Sequence, residues 1–73
     1  MDYADYLKGL VGQNGSLTES HRSWFTFTIG IEDEDYQLTE VNGDFVIVQC
    51  NELPKMIDVI PMGMFQVRIH QKS

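Results

Sequence analysis

The chain has little cysteine, no long apolar run and no segment that resembles a targeting signal. Its 73 residues include one cysteine, Cys50, which excludes an internal disulfide. No stretch approaches the ~18 apolar residues of a membrane span, and residues 1–15 lack the basic start and apolar core of a secretion signal. The sequence therefore predicts a cytoplasmic protein with no membrane partner.

Basic residues are scarce as well. Five lysines and arginines stand against eleven aspartates and glutamates, which gives a net charge of −6. A protein that coats duplex nucleic acid nonspecifically needs a basic surface, because its affinity comes from counterion release. Any nucleic-acid site in this chain must therefore be local.

Catalytic and metal-binding patterns are missing too. There is no glycine-rich phosphate loop and no paired-carboxylate signature. Ser20, His21 and Asp33 are residue types found in nucleophilic sites, but proximity in sequence does not define the required geometry. His21, His70 and Cys50 lack the paired spacing of zinc ligands. We therefore predict a protein that is not an enzyme and that has no catalytic residues, metal or cofactor.

The small size of the chain favours self-association. Residues 1–73 can form one domain, and a domain this small buries only about 60% of the surface that its unfolded chain exposes. Since disulfides and metals are missing, association between copies is the remaining source of stability. The sequence predicts a homo-oligomer and leaves the number of subunits open.

An N-terminal helix is predicted within residues 1–12. Asp2 can cap it, and Gly12 can end it in a left-handed conformation. The apolar residues at helical spacing are Tyr3, Tyr6, Leu7, Leu10 and Val11.

Residues 13–22 are rich in turn formers and predict a loop. Ser16 and Glu19 match a capping box, so one extra helical turn is the alternative.

Residues 23–71 predict a meander of five antiparallel strands. Alternation is clearest where Phe25, Phe27 and Ile29 oppose Trp24, Thr26 and Thr28. The five strand-forming segments are SWFTFTIGIE, DYQLTEV, DFVIVQC, MIDVI and MFQVRIH.

Three features of the predicted strands bend or turn the chain. Leu38 and Val41 are out of step, which predicts a bulge, and Asn42-Gly43 predicts a type I′ hairpin turn. Residues 61–63, Pro-Met-Gly, predict a compact corner between the last two strands. The predicted fold is mainly β: an N-terminal helix and a small, strongly bent five-stranded antiparallel barrel of the Sm-like or SH3-like kind.

Two segments carry a resemblance to a known family. LTEVNGDFVIVQCNE, residues 38–52, and IDVIPMGMFQVRI, residues 57–69, resemble the two sequence motifs of the Sm-like family, which includes the Sm and LSm proteins and a bacterial RNA chaperone. The resemblance covers about half of the chain. It implies an RNA-binding ring in which the fourth strand of one copy pairs with the fifth strand of the next.

The chain departs from the family at the positions that bind RNA. The Sm-type asparagine falls near Val46, and the lysine-histidine pair of the bacterial chaperone falls near Met62-Gly63. These functional residues are therefore not carried over, and the usual uridine pocket is in doubt.

The sequence nevertheless offers candidates for a site that binds single-stranded RNA or DNA. Arg68 and His70 share one face of the last strand and could line a pore in a ring, although a solvated outer face is the more ordinary interpretation. Trp24 could stack on bases. Asn42 is a further candidate, although a hairpin tip selects asparagine for its backbone tolerance.

The last two strands supply the predicted oligomer interface. They are apolar and lack most of the residues that normally protect a sheet edge. The predicted interface residues are Met56, Ile57, Val59, Ile60, Phe65, Val67 and Ile69.

An acidic run supports a different function. Residues 32–35, Glu-Asp-Glu-Asp, lack the alternating ligands and central glycine of a calcium loop, so a solvated turn is expected. The run could also imitate phosphates. The alternative prediction is therefore an acidic module that binds a basic protein, or inhibits one by mimicking nucleic acid, and does not itself bind nucleic acid.

Overall fold

The computed structural model describes residues 2–20 and 24–71, which form one β-sheet and a short helix. The mainly β fold with an N-terminal helix is confirmed, and all five predicted strand segments form strands. The elements are α1 (Tyr3–Lys8), β1 (Asn14–Glu19), β2 (Phe25–Ile29), β3 (Tyr36–Val41), β4 (Phe45–Cys50), β5 (Ile57–Pro61), a 3₁₀ turn (Met62–Met64) and β6 (Phe65–Ile69).

Helix α1 begins as the sequence predicts, but it ends at Lys8 with Gly9 (φ −69°) as its C-cap and not at Gly12. The Asp5 backbone N–H donates to Asp2 Oδ1 at 2.8 Å, which makes Asp2 the N-cap. Single turns follow the helix as far as Gly12, whose φ of 99° is left-handed. Leu7 is fully buried and fixes the helix to the core. Within the described ranges no helix is long and apolar enough to cross a membrane.

The predicted loop over residues 13–22 is wrong, because β1 occupies most of it. β1 pairs with β3 at Gly15 and then with β2 through Leu17, which lies opposite Phe27. Neither the loop nor the alternative helical turn forms at residues 14–19. Since β1 has partners on both sides, pairing rather than local propensity makes it a strand. Residues 21–22 of the predicted loop, including His21, lie outside the described residues.

The sheet has six strands in the order β5-β4-β3-β1-β2-β6, which corrects the predicted five-stranded antiparallel meander. β1 lies between β3 and β2, so β6 runs beside β2, and this pair is parallel. β5 and β6 are the two end strands. In the described part of the chain no strand pairing closes the sheet into the predicted barrel.

Two of the three predicted bends are confirmed, and the third has a different form. The register between β3 and β4 shifts between Leu38 and Glu40, as the predicted bulge requires, and the predicted corner is the 3₁₀ turn. Asn42 and Gly43 do make a hairpin. Gly43 does not have the positive φ that a type I′ turn requires, so the turn is of another type. Instead, Asn42 Oδ1 accepts from the backbone N–H groups of Asp44 (2.8 Å) and Phe45 (3.0 Å).

One hydrophobic core lies against a single face of the sheet. Phe27 of β2 and Phe65 of β6 meet there with ring centroids 6.3 Å apart. Burying apolar side chains of this size is the main stabilising term of the fold. The fully or nearly fully buried residues are Leu7, Phe27, Leu38, Val41, Val46, Val48, Ile60 and Phe65.

Candidate nucleic-acid interface

Hydroxyl groups lie side by side on the face of β1 and β2 that points away from the core. Because Leu17 and Phe27 face the core, their neighbours in each strand face the other way. In the antiparallel register Ser16 lies opposite Thr28, and Thr18 lies opposite Thr26. Cross-strand neighbours of this kind are close enough to contact one ligand together.

The parallel pairing of β6 adds a basic residue to these hydroxyls. Arg68 lies beside Thr28, and Gln66 lies beside Thr26. The His70 backbone N–H donates to the Ile29 carbonyl at 2.8 Å, so the pairing continues past the end of β6. The structure thus brings the predicted pair Arg68 and His70 to one surface.

These side chains line a groove of about 520 Å³, which we call the hydroxyl groove. Its described lining contains one guanidinium and one imidazole but no carboxylate, although the chain as a whole carries a net charge of −6. The groove is therefore a local exception to the acidic composition. It is lined by Ser16, Thr18, Thr26, Thr28, Ile31, Arg68, Ile69, His70 and Gln71.

A second, acidic cavity of about 550 Å³ shares His70 and Ile31 with the hydroxyl groove. Glu32 and Glu34 also line it. The turn that carries them needs Gly30, whose φ is 98° and on which a Cβ would lie 2.5 Å from the His70 carbonyl oxygen. One end of the hydroxyl groove therefore lies beside two carboxylates.

The other two predicted nucleic-acid residues lie outside the hydroxyl groove. Trp24 precedes β2 and is 48% exposed, and its backbone carbonyl accepts from the Ser20 N–H at 2.8 Å. Asn42 lies in the β3–β4 hairpin, where its side chain holds the turn. The hydroxyl residues of β1 were missed because that segment was predicted as a loop. The Thr26 and Thr28 alternation was the available signal.

The predicted oligomer interface divides into buried and exposed residues. Ile60 is 1% exposed and Phe65 is 3% exposed, so both side chains belong to the core of their own subunit, and Val67 packs against that core. The exposed members of the set are Met56, Ile57, Val59 and Ile69.

Tyr3 of α1 covers part of the outer edge of β6. Its hydroxyl donates to the Phe65 carbonyl oxygen at 2.6 Å. Burial raises the pKa of Tyr3, and a backbone hydrogen bond from Val67 lowers it by a smaller amount. The Phe65 N–H is also bonded, to the Met62 carbonyl. The first half of the β6 edge is therefore occupied by its own chain.

The described residues also include candidate metal ligands and the single thiol of the chain. Across residues 2–20 and 24–71 no group of three or more histidine, cysteine, aspartate or glutamate side chains is placed to hold a metal ion. Cys50 is half-buried and is a free thiol. The polar lining of the groove consists of hydroxyl, guanidinium, imidazole and amide groups.

The fold and the site define a small, mainly β protein with a groove lined by four hydroxyl side chains, one arginine and one histidine among other residues. Comparison of the chain with protein-family models, with curated proteins and with solved structures gives no match. The resemblance to the Sm-like family therefore rests on the two sequence motifs.

Proposed function

We propose that the protein is a self-associating, Sm-like β-protein that binds single-stranded RNA or DNA in the hydroxyl groove. The observation that carries this proposal is the composition of the groove: four hydroxyl side chains and Arg68 line it, and no described lining residue is acidic. In a chain this acidic, that combination favours an anionic ligand.

The groove offers the contacts that a phosphodiester needs. A guanidinium binds phosphate oxygens through two parallel hydrogen bonds, and serine and threonine hydroxyls are common partners of phosphate and sugar oxygens. The flat groups of Arg68 and His70 can also support an unpaired base by stacking. Phosphate binding would thus come from the hydroxyls of β1 and β2 together with Arg68, and base stacking from Arg68 or His70.

A single strand fits this groove better than a duplex does. Duplex binding draws on many lysine and arginine contacts to phosphates, whereas Arg68 is the only basic side chain among the described lining residues apart from His70. Because one arginine gives little affinity, several copies of the groove would have to act on one strand. Self-association is therefore part of the proposal.

The Sm-like ring is one form that this self-association could take. The ring would pair β5 of one copy with β6 of the next, and both are end strands of the sheet. The Tyr3 hydroxyl already bonds the Phe65 carbonyl on β6. Ring formation would therefore require α1 to release that contact.

A second candidate function is an acidic module that binds a basic protein or mimics nucleic acid. The observation that favours it is the exposed turn at residues 32–35, all four of which are acidic and exposed. Glu32 and Glu34 also lie around the acidic cavity next to His70. This surface would repel a nucleic acid that approached from that end of the groove.

The test is oligonucleotide binding as a function of salt, measured by fluorescence anisotropy with U-rich and A-rich strands. We expect binding that weakens as salt rises. Arg68→Ala should reduce affinity by roughly 10- to 150-fold, since a hydrogen bond to a charged group is worth about 1.5–3 kcal/mol. The native mass should stay unchanged.

The matched control is Lys8→Ala, which removes one positive charge from α1, outside the groove. It should leave the affinity within about twofold, because exposed charges that are distant from a site contribute little. Equal losses in both variants would contradict a site at Arg68. No binding by the wild-type protein at any salt concentration would favour the acidic module.

A further inference from the structure

The backbone of β5 has one side paired and one side open. The Cys50 N–H donates to the Met56 carbonyl at 2.8 Å, and the Met62 N–H donates to the Asp44 carbonyl at 3.0 Å. In an antiparallel ladder these bonds recur at every second residue. The even-numbered residues of β5 therefore bond to β4, and the odd-numbered residues direct their backbone groups outward.

The outward-directed residues of β5 are apolar and uncovered. Ile57 is 62% exposed and Val59 is 59% exposed. In the part of the chain that the structure describes, no hydrogen bond reaches their outward N–H and C=O groups. The strand has one charged residue, Asp58, and one proline, Pro61, at its end, so Pro61 alone lacks an outward N–H donor and the edge over residues 57–60 stays open.

The β4 neighbours of β5 extend the same apolar surface. Phe45 lies opposite Pro61 and Ile47 lies opposite Val59, and both β4 side chains are half-buried. We call the surface formed by Phe45, Ile47, Ile57, Val59 and Pro61 the β5 surface. A contiguous apolar surface along an open strand is a marker of an interaction site.

The two ends of the sheet are not equivalent. On β6 the Phe65 carbonyl accepts from the Tyr3 hydroxyl and the Phe65 N–H donates to Met62. On β5 the outward groups of Ile57 and Val59 have no such partners among the described residues. A contact between two β5 strands therefore displaces nothing, whereas a contact between β5 and β6 breaks the Tyr3 hydrogen bond.

We propose that a second copy of this chain pairs with the open edge of β5, with the two β5 strands antiparallel about a two-fold axis at Val59. Val59 then exchanges both of its backbone hydrogen bonds with Val59 of the second copy. The Ile57 N–H donates to the Pro61 carbonyl of the second copy. This pairing suits Pro61, which has a carbonyl acceptor but no N–H donor.

Charge repulsion favours an axis at Val59 over an axis one residue away, at Asp58. An axis at Asp58 would place the two Asp58 side chains directly opposite each other, and like charges in that position are destabilising. An axis at Val59 places Asp58 opposite Ile60 instead. It also joins the two β5 surfaces into one apolar patch, since the same symmetry relates every residue pair. This inference concerns assembly and does not depend on what the hydroxyl groove binds.

The test is site-specific oxidation in a Cys50→Ser background. Opposed residues in a hydrogen-bonded antiparallel pair have Cα atoms about 5.5 Å apart, a separation that a disulfide spans. Val59→Cys should therefore form a covalent dimer under mild oxidation. Ile57→Cys and Ile69→Cys are the controls and should remain largely uncrosslinked, because neither meets its own copy across this axis.

Light scattering supplies an independent measurement. The wild-type mass should double between low and high protein concentration, and Val59→Lys should remain at the mass of one chain while its circular dichroism stays unchanged. Efficient crosslinking of a Val59→Cys, Ile69→Cys double variant, with none in Val59→Cys alone, would overturn the two-fold dimer in favour of a ring. A wild-type mass of one chain at every concentration would overturn the proposal outright.

Salt separates this inference from the proposed function. Copies of a chain with a charge of −6 repel each other, so added salt should strengthen the dimer. Oligonucleotide binding should weaken under the same conditions. Loss of oligonucleotide binding with an intact dimer would remove the proposed function alone. Oligonucleotide binding by a protein that associates without crosslinking at Val59→Cys would remove the dimer alone.

Discussion

At the scale of single residues, Gly15 has the least room for change. It lies in β1 where the strand passes from β3 to β2, and an added Cβ would lie 2.4 Å from the Thr28 backbone oxygen. That oxygen belongs to a paired strand and cannot move away freely. The position therefore requires the absence of a side chain.

We expect Gly15→Ala to lower the free energy of unfolding by about 1–3 kcal/mol, the usual effect of overpacking. Urea unfolding monitored by circular dichroism measures it. Gly63→Ala is the matched control, because a Cβ there meets no atom within 4 Å, and its effect should stay within about 0.5 kcal/mol. Equal stability of the two variants would contradict the close approach at Gly15.

The candidate site was only partly predictable at this scale. Strand alternation was enough to place Arg68 and His70 on one face, because the period of a strand fixes which side chains share a face. Alternation predicts that Trp24 faces away from the core, and the turn pattern puts Asn42 at a hairpin tip, but neither signal says which groove a side chain reaches. Predicting Ser16 and Thr18 as site residues required predicting β1, but the sequence of that segment is typical of a loop.

At the scale of elements, the β3–β4 hairpin depends on the side chain of Asn42. Its Oδ1 accepts from two backbone N–H groups of the turn. The sequence predicted a hairpin here for the backbone tolerance of Asn-Gly, but the turn is stabilised by a side-chain acceptor. The residue is the predicted one and its role is different.

We expect Asn42→Ala to destabilise the protein by about 1–2 kcal/mol, since it removes two hydrogen bonds to the backbone. Asn42→Asp keeps an acceptor oxygen and should retain most of the stability. Oligonucleotide affinity should be the same in both variants, because Asn42 lies outside the hydroxyl groove. A loss of affinity without a loss of stability would restore Asn42 as a binding residue.

The individual strands were predictable because alternation and turn residues are local signals. β2 to β6 all formed where the apolar pattern placed them. β1 has a single large apolar residue, Leu17, and it forms a strand because it pairs with both β3 and β2. Tertiary pairing of this kind overrides local propensity.

At the scale of the whole molecule, two tyrosines make the free energy of unfolding depend on pH in the alkaline range. Burial raises the pKa of Tyr3. Burial is also the main cause that raises the pKa of Tyr36, with smaller contributions from Cys50, Asp58 and Asp35. A tyrosine whose pKa is higher in the folded state stabilises the fold while it is protonated.

We therefore expect the free energy of unfolding to hold steady as pH rises toward ~10, the pKa of an unfolded tyrosine, and to fall above it. Urea midpoints between pH 8 and pH 11.5 measure the fall. Tyr3→Phe has no hydroxyl to ionise, so its profile should be less steep than that of the wild type, and it should be less stable at pH 8 by about 1 kcal/mol. A wild-type slope in this variant would contradict a raised pKa at Tyr3.

The overall topology could not be predicted from the sequence. Alternation indicates which side chains face the core, but it does not indicate which strands are neighbours. The predicted meander placed successive strands side by side, whereas β1 separates β3 from β2, and β6 pairs in parallel with β2. The barrel was inferred from the meander, and among the described residues no strand pairing closes the sheet.

The position of β1 also sets an order of events in folding. β1–β2, β3–β4 and β4–β5 are antiparallel pairs of strands that are adjacent in sequence, whereas Phe25 and Phe65 come from distant parts of the chain. Contacts between distant residues form slowly, because a long loop must close before they contribute. We therefore expect these three pairs to form early, then to align through the first residues of β1, with a slow final step in which β6 joins β2. The hydroxyl groove, which needs β6, would be the last part of the molecule to mature.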